Sequence, residues 1–167
     1  MKSTTTITTD IEREIIDAIK NIPSRLSCGT AGNRVWTACV KDEMERIGKS
    51  HDFLVVPNTK ERQWLYDLVW FRNNQSSHLR EVALVLESEW STADDWHIQE
   101  DFEKLLVAKA WVKVMIFQST RPKIQAISHF LKEGISVFER NSSNETYILA
   151  AFLEDEHAFE IETIRNV

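Results

Sequence analysis

Cysteine is scarce in this chain, and long hydrophobic runs are missing. The 167 residues include two cysteines, Cys28 and Cys39, at a separation that matches no metal-ligand motif. Two such residues form no disulfide framework, so we expect reduced thiols. The apolar runs stop well short of the ~20 residues that a membrane-spanning helix needs. Residues 1–7 lack the apolar core of a signal peptide, so we expect a cytoplasmic protein that makes no membrane contact.

Several common catalytic motifs are missing as well. Gly29 and Gly32 mark a loop, but the Lys-Ser or Lys-Thr pair that completes a phosphate-binding P-loop does not follow them. Ser91 and Thr92 have no obvious base partner, so hydrolysis through a hydroxyl nucleophile is unsupported. The five histidines are scattered, with no pair at metal-ligand spacing. The chemistry of this chain therefore has to be sought among its carboxylates.

The composition is that of a soluble globular protein. Hydrophobic residues make up 43% and charged residues 28% of the chain, and the length fits one domain over residues 1–167. The net charge of −6 argues against a general nucleic-acid coat, because phosphate binding depends on Lys and Arg. It does not argue against a nuclease, since an acidic metal site contributes negative charge by itself.

The hydrophobic pattern predicts alternating helices and strands. Strand, helix and strand over residues 81–117 form a βαβ crossover, so those two strands should be parallel. We predict an α/β fold with a mixed central sheet and helices on both faces. The predicted helices are 10–22, 34–47, 98–110 and 122–132, and the predicted strands are 53–56, 64–71, 81–89, 113–117, 146–153 and 158–164.

Acidic residues interrupt two of the most apolar strands. Asp67 lies within the run 66–70, and Glu87 and Glu89 close the run that begins at Val82. Buried carboxylates are costly unless they are paired, hydrogen-bonded or bound to a metal. Neighbouring strands lie about 4.8 Å apart, so carboxylates from both could meet over one hard cation such as Mg²⁺ or Mn²⁺. Alternatively, Asp67 merely ends a strand ladder and Glu89 is solvated where its strand exits.

The order of elements around these acids resembles the PD-(D/E)XK nuclease superfamily. Over about residues 34–117, a helix is followed by a strand, a strand with Asp67, a strand with Glu87-Ser88-Glu89, a helix and a strand. The resemblance implies a restriction-endonuclease-like fold, with this stretch as the core of a single nuclease-like domain. It also implies that Asp67 and Glu87 bind Mg²⁺ or Mn²⁺ and that the substrate is a phosphodiester in nucleic acid.

One position departs from the motif of that family. Glu89 stands where the family has a lysine that assists the attacking water. Some restriction endonucleases carry Glu-x-Glu at this point, and in other members the lysine has moved to the following helix. Lys104 could serve in that way here. Alternatively, Lys104 is a solvated lysine paired with a nearby acid of its own helix, namely Glu100, Asp101 or Glu103.

The first core helix of the family often supplies a further acid. Glu43 is the candidate for this additional metal ligand, and Glu45 is the second choice. A charge run on a helix is usually a solvated face, which is the alternative interpretation of both residues.

Three functions therefore remain open. The first is a metal-dependent endonuclease in which Asp67 and Glu87 bind the metal, Glu89 is a ligand or base, and Lys104 positions water. The second is a nuclease fold that has lost catalysis and acts as a binding or regulatory module. The third is an unrelated α/β domain whose acids are structural. A nuclease that cuts both strands of a duplex needs two sites, so the first function would favour a homodimer.

Overall fold

A computed structural model of the chain describes residues 9–26, 32–56, 64–91, 95–139 and 144–166. Cys28, Gly29 and Thr92 lie outside these ranges, as does the N-terminal stretch 1–7. The described elements are α1 (Thr9–Arg25), α2 (Asn33–Ser50), β1 (Leu54–Val56), β2 (Leu68–Asn73), β3 (Leu79–Glu89), α3 (Trp96–Val107), β4 (Val112–Ser119), α4 (Arg121–Val137), β5 (Thr146–Leu153) and β6 (Ala158–Arg165).

The six strands form one open mixed sheet in sequence order, β1-β2-β3-β4-β5-β6. β2 pairs antiparallel with both β1 and β3, β4 pairs parallel with both β3 and β5, and β6 returns antiparallel to β5. The predicted parallel pairing across the βαβ crossover is thus confirmed. β3 is the strand where the antiparallel half of the sheet meets the parallel half.

Helices cover both faces of the sheet, as predicted. Trp70 of β2 and Leu84 of β3 pack against α1 and α2. Val69 of β2 and Val85 of β3 face α3 and α4. Because side chains alternate along a strand, Glu87 must project toward α3, two positions after Val85. Among the described helices, none is long and apolar enough to cross a membrane.

The two largest differences from the predicted element boundaries are at the start of β2 and the end of α4. β2 begins at Leu68, four residues later than predicted, because residues 65–67 form a bend and Leu65 is exposed. Asp67 therefore lies just before the strand. α4 continues five residues beyond its predicted end, because Leu131 and Ile135 extend its buried stripe. The sequence pattern thus predicted each element, but it placed the start of β2 too early and the end of α4 too soon.

Gly48 allows α2 to approach the sheet closely. A Cβ atom at this position would lie 2.7 Å from Trp70 Nε1 and 2.9 Å from Val55 Cγ2, both in the buried core. We predict that Gly48→Ala lowers the free energy of unfolding by about 1–3 kcal/mol, because a packed core must shift to admit a methyl group. Urea denaturation measures this change.

Gly134→Ala is the matched control, because Gly134 is also a helix-interior glycine. There the added Cβ would come no closer than 3.4 Å to Phe102. We expect this variant to be neutral or more stable by up to about 1 kcal/mol, the helix-propensity gain of alanine. Equal destabilisation by both substitutions would contradict the close approach at Gly48.

Candidate functional site

The amino end of β2 lies beside the carboxyl end of β3, because the two strands are antiparallel. Leu68 pairs with Leu86, so Asp67 comes next to the Glu87-Ser88 segment. The Asp67 Oδ2 atom accepts hydrogen bonds from the Ser88 backbone N–H at 2.9 Å and from the Ser88 hydroxyl at 2.8 Å. The aspartate side chain is thus fixed to the end of β3.

A lysine from α2 contacts the other oxygen of the same carboxylate. Lys41 Nζ lies 3.2 Å from Asp67 Oδ1, and both side chains are about one-third exposed. Helix α2 packs on the face of the sheet opposite to α3. The Asp67 carboxylate therefore lies at the end of strand β2, where it forms an ion pair with a lysine of helix α2.

Helix α3 brings a second lysine from the other side of the sheet. Lys104 Nζ lies 3.2 Å from Glu87 Oε1 and 2.6 Å from Asp101 Oδ1 on its own helix. The Glu87 side chain is 5% exposed, so this ion pair is largely shielded from water. The predicted pairing with an acid of its own helix is thus confirmed for Asp101, and Lys104 also contacts the β3 acid Glu87.

Burial, together with the charges of Asp101 and Asp67, raises the pKa of Glu87 to about 7 against the opposing effect of Lys104. Burial acts to lower the pKa of Lys104, but its contacts with Asp101 and Glu87 outweigh this and raise it. The Tyr66 hydroxyl donates a hydrogen bond to the Lys104 carbonyl at 3.4 Å. Burial and the charge of Glu87 raise the pKa of that hydroxyl. These contacts link one group of side chains, which we call the acid–lysine cluster. Its members are Lys41, Tyr66, Asp67, Glu87, Ser88, Asp101 and Lys104.

Glu89 points to the same face of β3 as Glu87, but it makes a local contact. Its Oε1 atom accepts the backbone N–H of Ser91 at 2.5 Å, at the point where the strand ends. This carboxylate is partly exposed, whereas that of Glu87 is buried. Glu89 therefore lies two positions beyond Glu87, on the same face of β3 and partly accessible to solvent.

Glu43 lies elsewhere on α2. Its buried carboxylate is paired with Arg25 of α1 and with Arg46, the latter at 3.3 Å. Residues two apart on a helix are separated by about 200° around its axis, so Glu43 points away from the direction of Lys41. Within the described ranges, the structure records no contact that brings Glu43 to Asp67 or Glu87. The second choice, Glu45, pairs with Lys49 at 2.5 Å.

The oxygen donors of the cluster suit a hard divalent cation. Asp67, Glu87 and Asp101 are carboxylates, and after burial the charges of Asp101 and Asp67 contribute to the raised pKa of Glu87. In the part of the chain that the structure describes, no three acidic, histidine or cysteine side chains are gathered closely enough to hold a metal ion. The two lysines instead neutralise the acids. A cation and Lys104 would therefore compete for the Glu87 carboxylate.

Sequence reasoning missed Lys41 and Ser88 as members of the cluster and treated Asp101 only as a helix partner of Lys104. Lys41 is one of 20 Lys and Arg residues, and its role depends on how α2 docks, which no local pattern encodes. The contact of Ser88 with Asp67 was predictable, because Ser88 lies between Glu87 and Glu89 at the end of β3, where its backbone N–H can reach an acid on the neighbouring strand.

The titration of Glu87 is the first test of the cluster. We predict that its Cδ chemical shift titrates with a midpoint near 7 in metal-free protein, and that Asp101→Asn lowers this midpoint by removing a repelling charge. The folded-state pKa exceeds the unfolded value, so this group favours folding at low pH, and that contribution is lost as pH rises to about 7. A midpoint near 4.5 in the ¹³C NMR titration would contradict this environment.

Comparisons with protein-family models, with curated proteins and with solved structures found no significant match to this chain. The candidate site therefore rests on its own geometry and chemistry.

Proposed function

We propose that this protein is a metal-dependent, nuclease-like domain that hydrolyses phosphodiester bonds in nucleic acid. The proposal depends chiefly on one juxtaposition, that of the β2 acid Asp67, the β3 acid Glu87 and the α3 lysine Lys104 at one edge of the sheet. The order α2-β1-β2-β3-α3-β4, with β4 parallel to β3, supports a restriction-endonuclease-like core. A lysine reaching the β3 acid from α3 supports the interpretation that Lys104 replaces the lysine missing at Glu89.

In this proposal, Asp67 and Glu87 would hold Mg²⁺ or Mn²⁺, which activates water and stabilises charge developing on a phosphate. Lys41 orients Asp67 by pairing with its free oxygen. Lys104, displaced from Glu87 by the cation and still paired with Asp101, would donate to the water or to the developing negative charge. Glu89, partly exposed on the same strand face as Glu87, would add a ligand or accept the proton of the water.

The raised pKa of Glu87 bears on how a cation would bind. A carboxylate must lose its proton to bind a metal ion, so metal binding should strengthen with pH through the range around 7. Binding of the cation would also relieve the repulsion among Asp67, Glu87 and Asp101. A bound cation would therefore stabilise the carboxylates, which repel one another when no metal is present.

A second candidate function is a binding or regulatory module that no longer cuts. Two contacts favour it: Lys41 and Lys104 already neutralise Asp67 and Glu87, and Glu89 is engaged with the Ser91 amide. In such a module the acids and lysines hold α2 and α3 to the sheet edge, and no divalent ion is required.

Strand cleavage is the direct test of hydrolysis. We predict that the protein nicks supercoiled plasmid or degrades single-stranded DNA or RNA with Mg²⁺ or Mn²⁺, and that Asp67→Asn and Glu87→Gln each reduce the rate roughly 100-fold or more. Lys104→Met should reduce it as well, with less effect on metal binding. Gel electrophoresis of the products measures the rates.

Glu43→Gln is the matched control for the acid substitutions. It removes a buried, ion-paired carboxylate from α2, outside the cluster, so cleavage should persist in a folded variant. Cutting that survives both Asp67→Asn and Glu87→Gln would contradict the assignment of the site. Sedimentation of the active species tests whether it is the homodimer that duplex cleavage favours.

Metal binding separates the two candidate functions. For the nuclease, we predict saturable binding of Mn²⁺ in calorimetry, lost in Asp67→Asn and retained or strengthened in Lys104→Met, because the lysine competes for the Glu87 carboxylate. Absence of binding to wild-type protein at millimolar Mn²⁺ would favour the module.

A further inference from the structure

The outer face of α3 and α4 carries an apolar groove that the acid–lysine cluster does not use. Its wide end encloses about 850 Å³, and its narrow end encloses about 390 Å³. Phe130 lines both ends, so they adjoin at this residue on α4. We call this apolar groove the α3–α4 groove and define its floor by Trp96, Leu106, Val107, Phe130, Gly134 and Val137.

Helix α4 has two apolar stripes, although covering the sheet requires one. The first stripe is buried in the core and consists of Ile124, Ile127, Leu131 and Ile135. The second stripe lines the groove at helical spacing and consists of Ala126, Phe130, Gly134 and Val137. Phe130 is 46% exposed and Val137 is 67% exposed. A second stripe of this kind is typical of a helix that also packs against a partner.

The rim of the wide end is acidic. Glu103, Glu133 and Glu139 line it, and none of the three forms an ion pair with a lysine or arginine of the described residues. No basic side chain lines either end of the groove as far as the chain is described. Lys123 pairs with Asp95 at the narrow end, at 3.6 Å. The groove thus combines an apolar floor with an unneutralised negative rim.

We propose that the α3–α4 groove binds an amphipathic helix of a partner protein, with lysine or arginine flanking its apolar face. The exposed Phe130 and Val137 would pack against that face, and the three rim glutamates would pair with the basic flanks. The groove follows α3, whose 12 residues span about 18 Å, so it accommodates about three turns of a docked helix. Docking a second copy of this chain would instead bring two acidic rims together, which charge repulsion opposes.

Occupation of the groove is independent of the proposed hydrolysis. Lys104 turns from α3 toward Glu87 on the sheet side, whereas the neighbouring Glu103 lines the groove on the outer side. Both surfaces of α3 can therefore be used at once. Failure of cleavage assays leaves the docking surface untouched, and failure of docking leaves the cluster untouched.

The test uses a fluorescein-labelled synthetic helix of about 14 leucines and lysines at amphipathic spacing, and fluorescence anisotropy. Saturable binding is expected to wild-type protein, with much weaker binding of the same design carrying glutamate in place of lysine. Glu133→Lys/Glu139→Lys should weaken binding of the lysine peptide by more than about tenfold and strengthen that of the glutamate peptide. Phe130→Asp/Val137→Asp should abolish binding of both.

Asp10→Lys/Asp17→Lys is the matched control, because it makes the same charge change on exposed positions of α1. It should change the affinity less than about twofold, since those positions lie outside the groove. Three results would overturn the proposal: no saturable binding, equal weakening by the control and rim variants, or a wild-type homodimer in sedimentation that Phe130→Asp/Val137→Asp dissociates. Circular dichroism of each variant verifies that it is folded.

Discussion

The register of β3 is the constraint on which the cluster and its surroundings depend. This strand pairs antiparallel with β2 and parallel with β4, so both halves of the sheet fix its position. The register sets Asp67 against the Ser88 amide and turns Glu87 toward α3. A slip of one residue would reverse every side chain of the strand and bury the acids against α1 and α2. The apolar run before Glu87 therefore determines where the carboxylates lie.

The cluster is built from opposed charges supplied by both helix layers. Lys41 reaches Asp67 from α2, and Lys104 reaches Glu87 from α3. Isolated, buried carboxylates would destabilise the sheet edge, and the lysines offset that cost. The remaining strain is shown by Glu87, whose pKa is raised to about 7 despite its lysine partner. In the proposed metal site, such a group would have to lose its proton before it bound a cation near neutral pH.

The sequence predicted the elements that local hydrophobic pattern defines. The mixed sheet, the parallel crossover and the two helix layers followed from apolar periodicity and segment length. The placement of Asp67 inside a strand was wrong, because the residues before Leu68 bend away instead of continuing the ladder. The role of Lys41 could not be predicted, because it depends on the docking of α2. Lys104 was predictable as a candidate, since the family resemblance directs attention to the helix after Glu89.

We propose that Asp67 and Glu87 together form a divalent-metal site. The most direct measurement is an anomalous difference map from crystals of the protein soaked in MnCl₂ at a pH above 7. A peak within coordination distance of both carboxylates, with Lys104 displaced from Glu87, is the predicted result. Density that shows the two acids still paired with Lys41 and Lys104, and no manganese peak between them, would contradict the claim.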